Sequence, residues 1–450
     1  MITARSLATH ILLHLEQKAA HPDRLIRAML ERHSRLDERD RALLTELVYG
    51  VLRRQGRLDW HIDVLSRVSP RKIDPGVRII LRLALYQILF LDRIPHHAAV
   101  NEAVKMARSG HPSHVAGFVN GLLREALRRQ EAESWEFPSA EEQPAAHLAV
   151  IQSHPRWLVE RLLKNLGFDE TRALLEADNT VAPLVLRVNP LKATVDAVIR
   201  ELEGLSAHAA LSPYLPWAVR MSGLRQDVSR LRVFEEGWVQ VQDEASQIIS
   251  LLLAPEPGGR VLDLCAGFGG KSSHLGILME NRGEIVSVDQ SAWKLEELRQ
   301  NAERQGVAIV RTTAADALEL KPEEIGLFDR VLLDAPCTGF GTLRRNPDIK
   351  WRRHLKDPYR FSQLQGALLR NAAAFVKPGG VLVYATCTVL PDENEEVIHA
   401  FLANHPHWEA MPVVDMLPES CRAMADGAFF RSWPHRHGVD GFFGARLRPL

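Results

Sequence analysis

Two cysteines, each flanked by a Thr, carry the most distinctive chemistry in this sequence: Cys337 in Asp334-Ala335-Pro336-Cys337-Thr338 and Cys387 in Ala385-Thr386-Cys387-Thr388. Each follows an apolar run that ends in a polar turn. C5 of cytosine is a poor nucleophile, so alkylating it needs a thiolate that adds to C6, makes C5 enamine-like and departs once the C5 proton is gone. Two thiols in one site suit that reaction. Either cysteine alone reads as a small buried hydrophobe, and a free thiol is only slightly ionised at neutral pH unless its surroundings help. Asp334, three residues before Cys337, is of the type to hydrogen-bond N3 and the exocyclic amine of a cytosine.

Upstream, Val261-Leu262-Asp263-Leu264-Cys265-Ala266-Gly267-Phe268-Gly269-Gly270-Lys271 reads as a strand, a glycine-rich turn and a helix start. Gly267 and Gly269 let backbone approach a ligand, and the carboxyl ends of strands are where open α/β sheets bind nucleotides. Asp289 ends the next strand, where a carboxylate can take both ribose hydroxyls. A phosphate-binding loop needs Gly five positions before the Gly270-Lys271-Ser272 element, and Cys265 stands there. A dinucleotide fingerprint needs Gly where the chain has Ser272. S-adenosylmethionine fits better, because it requires no pyrophosphate cradle. Asp316, after Thr312-Thr313-Ala314-Ala315, is expected either as an acid on the adenine side or as a helix cap. The run Thr342 to Arg353 holds five basic residues and Trp351, a composition suited to phosphate contact and base stacking beside the thiols.

These residues need a scaffold. From Ala4 to Arg129 apolar residues recur at three- and four-residue spacing, as in Leu43, Leu47, Val48, Val51 and Leu52, which predicts a helical domain over 1–130. Residues 131–147, rich in Glu, Ala and Pro, read as a linker. A small α/β module is expected over 148–236, with strands at Leu184–Val188 and Ala218–Met221 and helices near Trp157 and over Val195–Leu202. Over 237–450 the runs Val261–Leu264, Ile285–Val288, Val331–Leu333 and Val381–Tyr384 alternate with helical segments, which argues a doubly wound parallel sheet.

Composition bounds the rest. Residues 1–130 hold 22 Lys/Arg against 13 Asp/Glu within a chain of zero net charge, so a basic N-terminal third is paired with an acidic remainder. That asymmetry points to a polyanion as partner, although a solvated helical surface has the same composition. Four cysteines without a CxxC pair exclude a zinc spacing and a disulfide framework, so no metal is expected and Cys421 reads as a small apolar residue. Met1–Ala20 reads as an amphipathic helix rather than a secretory signal. The longest apolar stretch, Ile79–Leu91, contains Arg82 and Gln87 and is too short to span a bilayer, so a cytoplasmic protein is expected.

Taken together, the motifs closely resemble the RsmB (Fmu/Sun) branch of the rRNA cytosine-5 methyltransferases, of the wider Nop2/Sun group. The resemblance spans nearly the whole chain. It rests on Leu262-Asp263-Leu264-Cys265-Ala266 with Gly269-Gly270-Lys271, Leu333 to Cys337, Arg344-Arg345-Asn346-Pro347-Asp348-Ile349-Lys350-Trp351, Tyr384 to Cys387, and Asp440-Gly441-Phe442-Phe443. It implies that Cys265, Ala266, Gly267, Phe268, Gly269, Gly270, Lys271, Asp289, Asp316 and Asp334 line an S-adenosylmethionine site. It also implies that Cys387 is the nucleophile and that Cys337 assists release of the product. With Asp40-Arg41-Ala42-Leu43 and Val48 to Arg53 in place, residues 1–130 look like the NusB fold, an RNA-binding bundle. The implied architecture is an all-α NusB-like domain, a small α/β module and a Rossmann-like class I methyltransferase domain. The implied substrate is a cytosine of the 967 type in 16S rRNA, free or in a partly assembled small subunit, modified by a monomer. The target base must leave its stack to reach the thiols.

Two departures from the family pattern stand out. Gly267-Phe268 replaces the Ala-Pro of relatives, and Thr338 and Thr388 replace Ser. Two other functions stay open at this point. One is a NusB-like RNA-binding or antitermination factor with an inactive methyltransferase domain, against which the intact Cys387, Cys337 and Asp334 argue. The other is a DNA cytosine-5 methyltransferase, in which the Pro-Cys thiol, Cys337, would attack.

Overall fold

The helical periodicity of the first third becomes the helices Ala4–Gln17, Pro22–Arg32, Glu38–Leu65, Pro75–Phe90, His96–Gly110 and Ser113–Glu131. The structure, a computed structural model, describes residues 3–18, 20–205, 208–224 and 226–450. Met1, Ile2 and Ala19 of the expected first helix lie outside them. That helix starts on Thr3, whose side chain exchanges a capping box with Ser6. Ile11, Leu44, Leu47, Val48, Leu58, Ile79 and Leu83 pack into one core with almost no solvent exposure. Residues 131–147 are less linker-like than their composition: Phe137 stacks on Trp60 with centroids 4.7 Å apart, and Trp135 meets the His61 ring at 4.2 Å. The helices Pro144–Ile151 and Arg156–Asp178 follow, the second kinked at Gly167. The chain divides into two compact units, one running to Asn179 and including Asn346–Arg352, the other holding Thr180–Arg345 and Arg353–Leu450. Among the described residues no helix is long and apolar enough to cross a membrane.

The second unit begins with β1 (Leu184–Val188), β2 (His208–Leu211), β3 (Ala218–Ser222) and β4 (Val239–Val241), an antiparallel sheet in the order β2-β3-β1-β4, with the helix Val195–Glu203 joining β1 to β2. The larger sheet contains β5 (Arg260–Leu264), β6 (Glu284–Asp289), β7 (Val310–Ala314), β8 (Phe328–Asp334), β9 (Val376–Thr386), β10 (Trp408–Met411), β11 (Ala425–Asp426), β12 (Phe429–Arg431) and β13 (Phe443–Pro449). Its order is β11-β12-β13-β9-β8-β5-β6-β7, with β10 on β13. Leu262, Leu264, Val331, Leu333, Leu382 and Tyr384 bury one face, and Val261, Ile285, Leu332 and Val383 the other. Burial on both faces is why these strands read as continuous apolar runs.

The parallel sheet expected from the four apolar runs is present, with antiparallel strands added at one side. β5, β6, β7, β8 and β9 pair in parallel, but β13 runs antiparallel to β9 with Phe443 opposite Thr386. An antiparallel neighbour starts where its partner ends. Asp440-Gly441-Phe442 is therefore delivered to the carboxyl end of β9, beside Cys387. β5 lies between β6 and β8, so the strand order reverses there and a crevice opens at the carboxyl ends of β5 and β8.

Candidate active site

All the residues singled out at the carboxyl ends of the strands gather around this crevice. The chain leaves β5 through Cys265, whose φ of 62° is unusual for a residue with a side chain, and turns through Gly267 (57°) and Gly269 (76°) into the helix Gly270–Leu278. At Gly269 a Cβ would stand 2.2 Å from Leu298 Cγ, so glycine is required for helix packing as well as for the turn. At Gly267 a Cβ would meet nothing within 4 Å, and that open side is where backbone can meet a ligand. Ala266 donates its N–H to Val288 O, which ties the turn to β6.

Asp289, at the end of β6, accepts the Gly267 N–H at 3.0 Å on one oxygen and the Ser291 N–H at 2.9 Å on the other. A carboxylate has further lone pairs for a pair of vicinal hydroxyls. Phe268 and Trp293 flank it, both about half exposed, with ring centroids 5.2 Å apart. Asp316 follows β7 and accepts the Leu318 N–H at 2.9 Å, so it caps a turn while its charge also acts on Cys265. Burial, and then the carboxylates Asp334, Asp289, Asp263 and Asp316, push the Cys265 thiol up to about 12, which leaves it inert. Beneath the turn Asp263 is fully buried, accepts the Ser272 hydroxyl at 2.6 Å, and is pushed by burial up to about 7.

Lys271 and Asp334 form an ion pair of 2.7 Å across the crevice. Burial opposes the Lys271 charge, but Asp334, with Cys387 and Asp263 adding to it, holds the ammonium above its ordinary range. Its Nζ also lies 5.3 Å from the Phe442 ring centroid, in the segment that β13 brings back. Cys337 and Cys387, fifty residues apart, place their sulfurs 3.4 Å from each other. The hydrogen bond with Cys387, and then burial, push the Cys337 thiol well up, so it keeps its proton beside the neighbouring sulfur. Gly441 locks the loop behind Cys337: its N–H donates to Gly341 O at 2.7 Å, and a Cβ on Gly341 would stand 1.8 Å from Gly441 O.

The basic run after Cys337 is not the free RNA-facing loop expected from its composition. Arg345 bridges Asp243 at 2.7 Å and Asp440 at 2.8 Å, and Arg353 donates to the carbonyls of Thr338 and Cys337. Lys350 is fully buried in the helical unit, where its Nζ donates to Arg53 O, Ser153 O and Asn179 Oδ1 and burial pushes it well below the ordinary lysine range. Trp351 Nε1 donates to Leu52 O at 2.6 Å. These side chains spend their donors on carboxylate, carbonyl and amide oxygens, so they brace loops.

Two residues of this region escaped the sequence reading. Arg187, on β1, is buried and donates to Gly270 O at 2.7 Å, Ser273 Oγ at 3.0 Å, Gln305 Oε1 at 2.9 Å and Gln242, with burial pushing it down to about 9. Glu393 lies in the acidic stretch Pro391-Asp392-Glu393-Asn394-Glu395, which resembles an ordinary helix start. It is buried and accepts the Thr338 N–H at 2.8 Å, the Thr338 hydroxyl at 2.5 Å, the Gln365 amide at 3.2 Å and the Thr388 hydroxyl at 3.3 Å. Among the described residues no cluster of three or more His, Cys, Asp or Glu is placed to hold a metal ion.

Comparison with known proteins adds to this geometry. Residues 250–448 match the family model for the 16S rRNA methyltransferase RsmB/F, residues 2–128 that of the NusB family, and residues 154–228 that of the RsmF/B-like ferredoxin-like domain. A probable ribosomal RNA small subunit methyltransferase B of Bacillus subtilis is 36% identical over 448 residues, covering 99% of this chain and 98% of its own. A protein of the same description from Synechocystis is 37% identical over 450 residues, with both chains covered in full. Among solved structures, that of the protein PH0851 aligns over 100% of this chain and 99% of its own with a TM-score of 0.83 and 32% identity.

Proposed function

The chain belongs to the RsmB/F family of 16S rRNA methyltransferases, and from that membership we propose that it methylates C5 of a cytosine in 16S rRNA, of the 967 type, through a covalent adduct with Cys387. The single observation that carries the mechanism is the 3.4 Å pairing of two thiols at the carboxyl ends of adjacent parallel strands. S-adenosylmethionine supplies the methyl group. The residues present fit it: Asp289 has acceptor capacity for ribose hydroxyls, Gly267 has an open side, and Asp316 stands beyond β7 for the adenine. Cys265, Ala266, Phe268, Gly269, Gly270, Lys271 and Asp334 complete that lining.

The steps follow from the side chains. The Cys387 thiolate adds to C6, which makes C5 enamine-like and able to take the methyl group. The Lys271 ammonium, held beside Asp334, offsets negative charge that develops on sulfur and ring, and such fixed charges act most strongly where water is scarce. Asp334 orients the base through its N3 and amine edge. Transfer of the C5 proton to a solvent water then sends the C5–H electron pair into the ring, the C6–S bond breaks, and its electron pair returns to sulfur as the Cys387 thiolate. Cys337 serves this second half, where its S–H can donate a hydrogen bond to the departing Cys387 thiolate, 3.4 Å away.

We also assign residues 1–130 to RNA binding, on their basic surplus and their NusB family match, and residues 148–236 and 237–450 to the small module and the methyltransferase domain. The substrate is 16S rRNA, free or in a partly assembled subunit, and the enzyme acts as a monomer. Mapping 5-methylcytosine on small-subunit rRNA from cells with and without the gene tests the proposal. Loss of a single modified cytosine is the expected result, and an unchanged map overturns it.

A further inference from the structure

We propose that Glu393 is a positioning residue that sets the distance between the two thiols by anchoring the turn of Cys337 to that of Cys387. The inference deepens the reading above, and only its RNA experiment rests on that reading. The residue following each cysteine is a threonine, and both threonines hydrogen-bond the same buried carboxylate: Thr338 through its N–H at 2.8 Å and its hydroxyl at 2.5 Å, Thr388 through its hydroxyl at 3.3 Å. The two hydroxyls also meet each other at 2.9 Å. Gln365 closes the cluster by donating to Glu393 at 3.2 Å and to Pro336 O at 2.9 Å, the residue before Cys337. All of these side chains are buried and none is the sulfur itself. The cluster therefore acts on the sulfurs through backbone position, and the Glu393 charge adds a push that favours the protonated Cys337 thiol.

The anchoring is asymmetric. The Cys337 turn departs from β8 with Pro336 in its backbone; Glu393 supplies two of its contacts and the Gln365 bridge a third, while Arg353 holds the carbonyls of Cys337 and Thr338. The Cys387 turn has other holds: Gly341 N–H donates to Cys387 O at 2.9 Å, and Asn394 Nδ2 donates to Thr388 O at 3.1 Å. A carboxylate accepts only, and the Thr338 N–H and hydroxyl both need an acceptor. In Glu393→Gln one oxygen becomes an NH2 group that faces these donors. The Cys337 turn then keeps its carbonyl bonds to Arg353 and loosens on its N–H and hydroxyl side, while the Cys387 turn stays. The lesion should then spare adduct formation by Cys387 and slow the step that Cys337 serves.

Two measurements on the full chain test this. The first needs no RNA: diamide takes two electrons and two protons from the thiols, becoming a hydrazine while Cys337 and Cys387 form a disulfide, whose rate is read by peptide mass spectrometry. Glu393→Gln should close this bond at least about tenfold more slowly than the parent, the scale of one lost hydrogen bond to a charged group. The second incubates RNA and S-adenosylmethionine with Glu393→Gln, with Cys337→Ala as the reference. The protein–RNA adduct should accumulate in both variants while turnover falls, and Thr338→Ser should behave as the parent does. Parental disulfide kinetics in Glu393→Gln overturns the inference, as does parallel loss of adduct and turnover. If Cys337→Ala itself traps no adduct, the assigned catalytic roles fail and the disulfide rate alone decides. Should Glu393→Gln not fold, Thr338→Val, which removes the 2.5 Å bond and retains the N–H bond, decides by the same criteria.

Discussion

The sulfurs of Cys337 and Cys387 lie 3.4 Å apart, and their shared hydrogen bond together with burial pushes the Cys337 thiol well up. A thiol that retains its proton is a poor first nucleophile and a good partner for one. Cys387→Ala should lose turnover and form no adduct, whereas Cys337→Ala should still attack and stall before release. A denaturing gel with RNA and S-adenosylmethionine reads the difference, and the reverse pattern would make Cys337 the nucleophile, as in a DNA-type mechanism.

Asp289 sits where it can accept ribose hydroxyls, and hydrogen bonds to a charged group are worth ~1.5 to 3 kcal/mol each. Asp289→Ala should weaken S-adenosylmethionine binding by about 10- to 150-fold in calorimetry. Unchanged affinity in a folded variant would remove Asp289 from the cofactor site.

Arg345 neutralises two buried carboxylates at once. Replacing it by Met leaves Asp243 and Asp440 without their partner, and breaking such a pair costs roughly 3 to 5 kcal/mol. Urea unfolding should show that loss, while the salt dependence of RNA binding stays as it is. A stable Arg345→Met with a shallower salt slope would return this arginine to the RNA surface.

Arg32, Arg35 and Arg39 are exposed on the helical unit. If they meet phosphates, changing all three to Gln should flatten the slope of log K against log salt by about 2, given ~0.7 per contact with a single strand. An unaltered slope would mean that this part of the basic surplus only solvates helices.

Asp263 retains its proton to about pH 7 in the folded chain, well above the ordinary carboxylate range it has when unfolded. Below both values the two states bind the proton equally. As pH rises through the window between them only the unfolded chain releases it, so stability falls, by at most ~1.4 kcal/mol per pH unit, and is flat above about 7. Asp263→Asn should reduce the fall in urea midpoint between pH 5 and pH 7. A variant with the parent's pH profile would show that Asp263 stays ionised.

Local chemistry was legible in the sequence wherever a short segment fixed it. The turn Cys265 to Lys271 and the strand-end Asp289 lie where the spacing puts them, and β1 has the bounds that its apolar run predicts. What needed the fold was every feature whose partners are far away in sequence. Lys350 reads as an exposed cation because nothing nearby says that Arg53, Ser153 and Asn179 will supply its acceptors. Glu393 hides in an acidic run for the same reason. The antiparallel return of β13 was invisible because strand direction is a property of pairing and not of the strand's own residues.

Arg187 gives the small antiparallel sheet a structural stake in the neighbouring domain. Its guanidinium has carbonyl, amide and hydroxyl oxygens for acceptors and no carboxylate, and they come from the helix that opens at Gly270 and from Gln242 and Gln305. A cation buried this way tolerates no vacancy among its acceptors, because each missing oxygen leaves charge unsolvated. The module bearing β1 is therefore not an interchangeable cassette. A chimaera that grafts this module from a relative onto a foreign methyltransferase domain will need the residues at 242, 273 and 305 to travel with Arg187. Without them the graft line itself becomes the weakest point of the protein.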